Sequence, residues 1–132
     1  MCTGITQGEN QAMAADLFAE RLARVRQRFV STLASKIEDT YAALPKLSGE
    51  GGDVTDTLEE TYRRIHGIVG VGPSVGFVAT GKAAKTVENV LLAPYRSTRG
   101  LASNEADALK KALQVLRETA QQELQTTSTN WR

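Results

Sequence analysis

Residues 63–82 read RRIHGIVGVGPSVGFVATGK. The fold turns on whether this stretch is a phosphate-binding loop between a strand and a helix, or a turn between two helices. It holds the only histidine of the chain, His66, with five of the eleven glycines and one of the three prolines. Gly70, Gly72 and Gly76 give GVGPSVG, one residue longer than the dinucleotide-binding GxGxxG, which also needs a preceding strand and further βαβ units. Gly76, Gly81 and Lys82 match GxxxxGK, the loop whose backbone amides and lysine hold nucleotide phosphates. Ala83 follows, however, where a magnesium-binding hydroxyl is required, and no later apolar strand ends in Asp to supply a second ligand. The intervening FVAT is mostly apolar, as expected for the start of a core-facing helix.

The flanking sequence reads as helix on both sides. Val54, Leu58, Tyr62, Ile65 and Val69 form an apolar stripe, with Asp53 or Thr55 as N-cap. At about 100° per residue, His66 falls at the margin of that stripe and is expected to reach solvent. Pro73 lacks an N–H and disfavours helix before it, which predicts a turn at Gly72–Pro73. A further helix carries Phe77, Ala84, Val87 and Leu91 and is expected to stop at Pro94. Ser103 or Asn104 can cap a last helix with Leu109, Leu113, Leu116, Ala120 and Leu124 on one face.

Upstream, Phe18, Leu22, Val25, Phe29, Leu33, Ile37, Tyr41 and Leu44 recur at steps of three and four. Val30, Ser31 and Thr32 are poor helix formers or caps in the middle of this run, and they predict a short first helix and a second one starting near Ser31. Pro45 and SGEGGD then close it. The expected fold class is all-α: an antiparallel four-helix bundle over residues 12–125 with an additional N-terminal helix. A flexible N-terminus (1–11) and a polar C-terminal tail (126–132) flank it.

Composition narrows the function classes. The chain of 132 residues suits one domain with its own core. Its 16 Lys and Arg against 15 Asp and Glu create no field that would draw it to nucleic acid or an anionic membrane. Cys2 is the only cysteine, so neither an internal disulfide nor a cysteine metal site is available, and a reducing compartment is expected. No secretory signal or membrane-spanning run is legible, which makes a cytoplasmic address the expectation.

Around His66, Gly67 and Gly70 remove side chains from the helix surface. Each glycine costs roughly 1 kcal/mol against alanine inside a helix. Two such costs beside one imidazole point to another backbone or another protein coming close there.

These residues resemble the signature of histidine phosphotransfer (HPt) domains. The matching order is His66, Gly70, Gly76 with Phe77, Ala83 with Ala84, and Val87 with Glu88, with a looser similarity in helix order from about Leu17 to Leu124. One position departs: the family has a lysine three residues after the histidine, and this chain has Val69. The resemblance implies a phosphoryl carrier of a bacterial two-component relay, with no catalytic centre of its own. His66 would be the nucleophile that takes a phosphoryl group from a receiver-domain aspartate and passes one on. Arg63, Lys82 and Lys85 are the candidates to support the phosphoryl group in place of the absent lysine. Gly67, Ile68, Val69, Gly70 and Val71, with part of Phe77, are the candidate receiver-docking surface, though core packing is the ordinary role of the larger ones. No metal or cofactor is expected on this chain, magnesium being carried by the partner receiver. The implied partners are receiver domains and a sensor or hybrid histidine kinase, with no nucleic acid and no membrane insertion, and the chain is expected to be a monomer. Two alternatives stay open: a bundle that docks on a receiver or kinase without being phosphorylated, and a nucleotide binder using Gly76 to Lys82.

Overall fold

The computed structural model describes the backbone of residues 7–49 and 52–130 and the side chains of 11–49 and 53–126. Cys2 and the rest of residues 1–6 lie outside the described residues. The elements are α1 (Gln7–Leu47), α2 (Gly52–Val71), a 3-10 turn (Pro73–Val75), α3 (Val78–Ser97) and α4 (Ser103–Asn130), with no strand among the described residues. Consecutive helices pack on one another and α4 returns to α1. The backbones do not approach closely across the α1–α3 or α2–α4 diagonals among the described residues. The result is a ring of four helices around one core, the arrangement of a helical bundle.

The expected break at Ser31 is absent, and its cause is local hydrogen bonding. The Ser31 and Thr32 hydroxyls donate back to the Arg28 carbonyl at 3.0 and 2.9 Å, and Ser35 donates to Thr32 O at 3.0 Å. Hydroxyls satisfied by the preceding turn do not cap a new helix. The stripe Phe29, Leu33, Ile37 runs buried through the region, so residues expected in two helices form one. Among the described side chains of α1 the first buried one is Arg26. Phe18 and Val25, expected on the core-facing stripe, are 67% and 45% exposed, whereas Leu22 between them is partly buried against the core. Helix also extends into both expected terminal segments, from Gln7 and to Asn130.

Both prolines expected to stop helices lie inside them, Pro45 in α1 and Pro94 in α3. A proline so close to a helix end forfeits one N–H bond, and its own carbonyl still accepts. In α3 the Pro94 carbonyl takes the Arg99 N–H at 3.1 Å, and Tyr95 O takes the Thr98 N–H at 3.3 Å. This is a Schellman closure, with Thr98 in the left-handed position at φ 48°.

The 63–82 stretch is helix, turn and helix. Phe77 is fully buried and its ring tilts against Phe29 at 5.1 Å, which fastens the turn to α1. Gly76 takes φ 95° in the turn. A Cβ at position 81 would meet the Pro73 ring at 2.7 Å, so Gly81 lets α3 lie against the turn. Gly81 and Lys82 are therefore inside a helix, and the loop that GxxxxGK requires is not formed. The N–H groups of Thr80 and Ala79 at the start of α3 already donate to the Glu123 carboxylate of α4, at 2.6 and 3.4 Å.

A β-branched residue in the left-handed region is strained by about 1–2 kcal/mol, and glycine returns part of that in backbone entropy. Thr98→Gly is therefore expected to stabilise the bundle by up to about 1 kcal/mol. The check is the denaturant midpoint, which rises at unchanged slope; a lowered midpoint contradicts the Schellman assignment.

Candidate functional site

His66 stands on the outer face of α2 with 66% of its side chain exposed, as its place at the margin of the stripe predicted. Its Nδ1 is hydrogen-bonded to Glu88 Oε2 on α3. The Glu88 side chain is only 4% exposed, and its Oε1 accepts from Lys85 Nζ at 2.7 Å. Burial by itself pushes the Glu88 carboxyl up. The hydrogen bonds from Lys85 and His66, with their charges, outweigh that and hold it below the ordinary 4.5. The carboxylate is ionised at neutral pH. Its hydrogen bond in turn raises the Lys85 ammonium above its usual range.

The geometry fixes the histidine tautomer. An ionised carboxylate can only accept, so the Nδ1 facing it carries a proton. In the neutral ring the lone pair is then on Nε2, which has no hydrogen-bond partner among the described residues. Tyr62, one turn earlier on α2, lies parallel to the imidazole with ring centres 5.8 Å apart and planes 9° apart. Tyr62 is itself stacked on Tyr95 of α3 at 4.1 Å and 4°.

On the other side of His66 the helix is bare. A Cβ at position 67 or 70 would have nothing within 4 Å, whereas one at position 72 would come to 2.8 Å from the Ile68 carbonyl. Gly72, Gly76 and Gly81 thus serve the turn, and Gly67 and Gly70 clear a surface. Val71 and Val78 add exposed apolar area at the same end of the bundle. A surface depression of about 710 Å³ is lined by Tyr41, Lys110, Lys111 and Arg117 and not by His66. Among the described residues no three His, Cys, Asp or Glu side chains are grouped to hold a metal ion, and no helix is long and apolar enough to cross a membrane.

Of the residues expected around His66, the structure brings Lys85 into its hydrogen-bonded cluster. Arg63 turns back to Glu59 at 2.5 Å and leaves the imidazole. Lys82 is exposed on α3 and forms no ion pair among the described residues. Gly67, Gly70 and Val71 have exposed surface, and Val69 is half-buried against the core. Ile68 is corrected: it is fully buried and belongs to the core, because it follows Ile65 and Leu58 on the inward stripe of α2. Phe77 is likewise core. In the sequence Glu88 entered only through the resemblance, paired with Val87, and Tyr95 was given no role. The spacing of Lys85 and Glu88, three apart on one helix, and of Tyr62 and His66, four apart, carried the only available signal.

Comparison with protein-family models, with curated proteins and with solved structures returned no match. The chemistry must therefore be read from the site. It offers an exposed, tautomer-fixed nitrogen nucleophile, a nearby ammonium and a bare helix face.

The lowered Glu88 pKa has a consequence for stability. A carboxyl depressed in the folded state stabilises it above the unfolded pKa and loses that contribution as pH falls through the folded value. Between about pH 5 and pH 3 the denaturation midpoint of the wild type is expected to fall more steeply than that of Glu88→Gln. Parallel acid limbs would show that the carboxylate is not held by Lys85 and His66.

Proposed function

We propose that this protein is a histidine phosphotransfer protein, a phosphoryl carrier in which His66 Nε2 accepts a phosphoryl group from an aspartyl phosphate on a receiver domain and hands it to another. The observation that carries the reading is the exposed imidazole with Nδ1 held by a buried, ionised glutamate. In the transfer, the Nε2 lone pair forms the N–P bond while the P–O bond to the aspartate breaks, and the carboxylate leaves with that electron pair. The ring gains positive charge as Nε2 bonds to phosphorus and Nδ1 keeps its proton. The Glu88 carboxylate is already in place to stabilise that charge without reorganising. Little further machinery is required, because phosphoryl transfer depends mainly on positioning and charge stabilisation.

Lys85 takes the part of the cation missing at Val69. The His66–Glu88 contact, closed by the turn at Gly72–Phe77, supports an antiparallel α2–α3 pair. In such a pair a residue three before Glu88 stands level with a residue three after His66. The ammonium is then supplied from α3, with Lys82 about 4.5 Å further along the axis toward the turn. Gly67, Gly70 and Val71 form the receiver-facing surface. In this reading the chain works as a monomer in the cytoplasm of a bacterium, between a sensor or hybrid kinase and its receivers, with magnesium held by the receiver.

Incubation with a radiolabelled phospho-receiver is expected to give an acid-labile, base-stable label on the wild type and none on His66→Ala. Equal labelling of the two would overturn the assignment. A receiver that binds both equally and labels neither would make the protein a docking module instead.

A second expectation separates docking from folding. With open space around position 70, Gly70→Gln is expected to raise stability by up to about 0.8 kcal/mol while weakening receiver binding and slowing transfer. Unchanged transfer by the stabilised variant would remove the bare α2 face from the docking surface.

A further inference from the structure

The Glu88 hydrogen bond fixes one edge of the imidazole but not its plane. Rotation about the Cβ–Cγ bond of histidine has broad minima, and a side chain 66% exposed has few neighbours to restrict it. A ring tethered at one atom can still tilt, carrying Nε2 through an arc while Nδ1 keeps its partner. For a nucleophile that must meet a phosphorus atom in line, that arc matters.

Tyr62 restricts it. Its ring lies 9° from parallel to the imidazole, in the offset-stacked range of aromatic pairs. Tyr62 is half-buried and packed against the core, so it is not itself loose. Tyr62 is also stacked on Tyr95 of α3, at 4.1 Å and 4°. Tyr95 reaches that place because α3 continues past Pro94, and its carbonyl is held by the Thr98 N–H of the helix closure. The three rings form a column from α3 through α2 to the imidazole.

We propose that Tyr62, backed by Tyr95, is a positioning residue for His66: the stack sets the plane of the imidazole and Glu88 sets which edge faces inward. The two constraints are complementary, and together they leave one direction for Nε2. The column also covers the turn before His66, so a receiver approaches from the Gly67 and Gly70 side. The role in transfer rests on the phosphotransfer reading; the effect on the ring does not.

The test uses the full chain with ¹⁵N-labelled histidine and phosphoramidate as a small phosphoryl donor, which removes receiver docking from the measurement. In that reaction Nε2 displaces ammonia from phosphorus. Tyr62→Leu keeps bulk and helix propensity but has no flat face, and Tyr62→Phe keeps the face. Tyr62→Leu is expected to leave the proton on Nδ1 but to widen the motion of the ring, read from the relaxation of the His66 ring resonances, and to slow phosphorylation about tenfold, with the saturating rate falling more than the half-saturating phosphoramidate concentration rises. Tyr62→Phe is expected to match the wild type in both. Tyr62→Leu with wild-type ring resonances and rate, or Tyr62→Phe as impaired as Tyr62→Leu, would overturn the proposal. If the wild type takes no phosphoryl group, the carrier reading fails, while the ring resonances of the two variants still decide whether Tyr62 positions the imidazole.

Discussion

A carboxylate withdrawn from water must be paired or must give up its charge, and the site depends on how Glu88 meets that requirement. It has two oxygens and two partners: Lys85 from its own helix and His66 from the next. The pairing ties α2 to α3, assigns the Nδ1 proton and brings an ammonium beside the imidazole. None of these would follow from a solvent-exposed glutamate, whose ion pairs are worth little. The burial that makes Glu88 expensive is also what makes its orientation definite.

The glycines around it divide by what surrounds them. Gly72 and Gly81 sit where a side chain would strike the backbone or Pro73, and Gly76 needs a left-handed backbone, so these three build the turn between α2 and α3. Gly67 and Gly70 meet nothing, and inside a helix they cost stability without relieving any clash. In the proposed carrier that cost is offset only when a receiver occupies the cleared face. The same stretch that resembles a phosphate cradle is thus a fold device at one end and, in the proposed carrier, an interaction surface at the other.

Much of this was legible in the sequence. The stripes of α2, α3 and α4 carried the helical class, the turn at Gly72–Pro73 and the exposed margin position of His66. What failed were the boundaries, and for one physical reason: Ser31, Thr32, Pro45 and Pro94 were weighed as local signals, while the Ser31 and Thr32 hydroxyls and the Pro94 carbonyl found backbone partners nearby and buried residues continued past them. The exposed start of α1 was hidden because periodicity marks an apolar face but not whether another helix is there to cover it. Within the site, His66, the bare glycines and Lys85 could be named in advance. Ile68 could not be separated from its exposed neighbours without the helix phase that buries it. Tyr95 could not be placed at all, since its contact with Tyr62 depends on α3 continuing past Pro94.

The central claim is that His66 presents Nε2 as a phosphoryl acceptor while Nδ1 stays protonated against Glu88. Its most direct test is the ¹⁵N and ³¹P spectrum of the phosphorylated, histidine-labelled chain. The account predicts a single phosphohistidine with nitrogen–phosphorus coupling at Nε2 and a proton retained on Nδ1. Coupling at Nδ1, or a phosphoryl group on any residue other than His66, would contradict it.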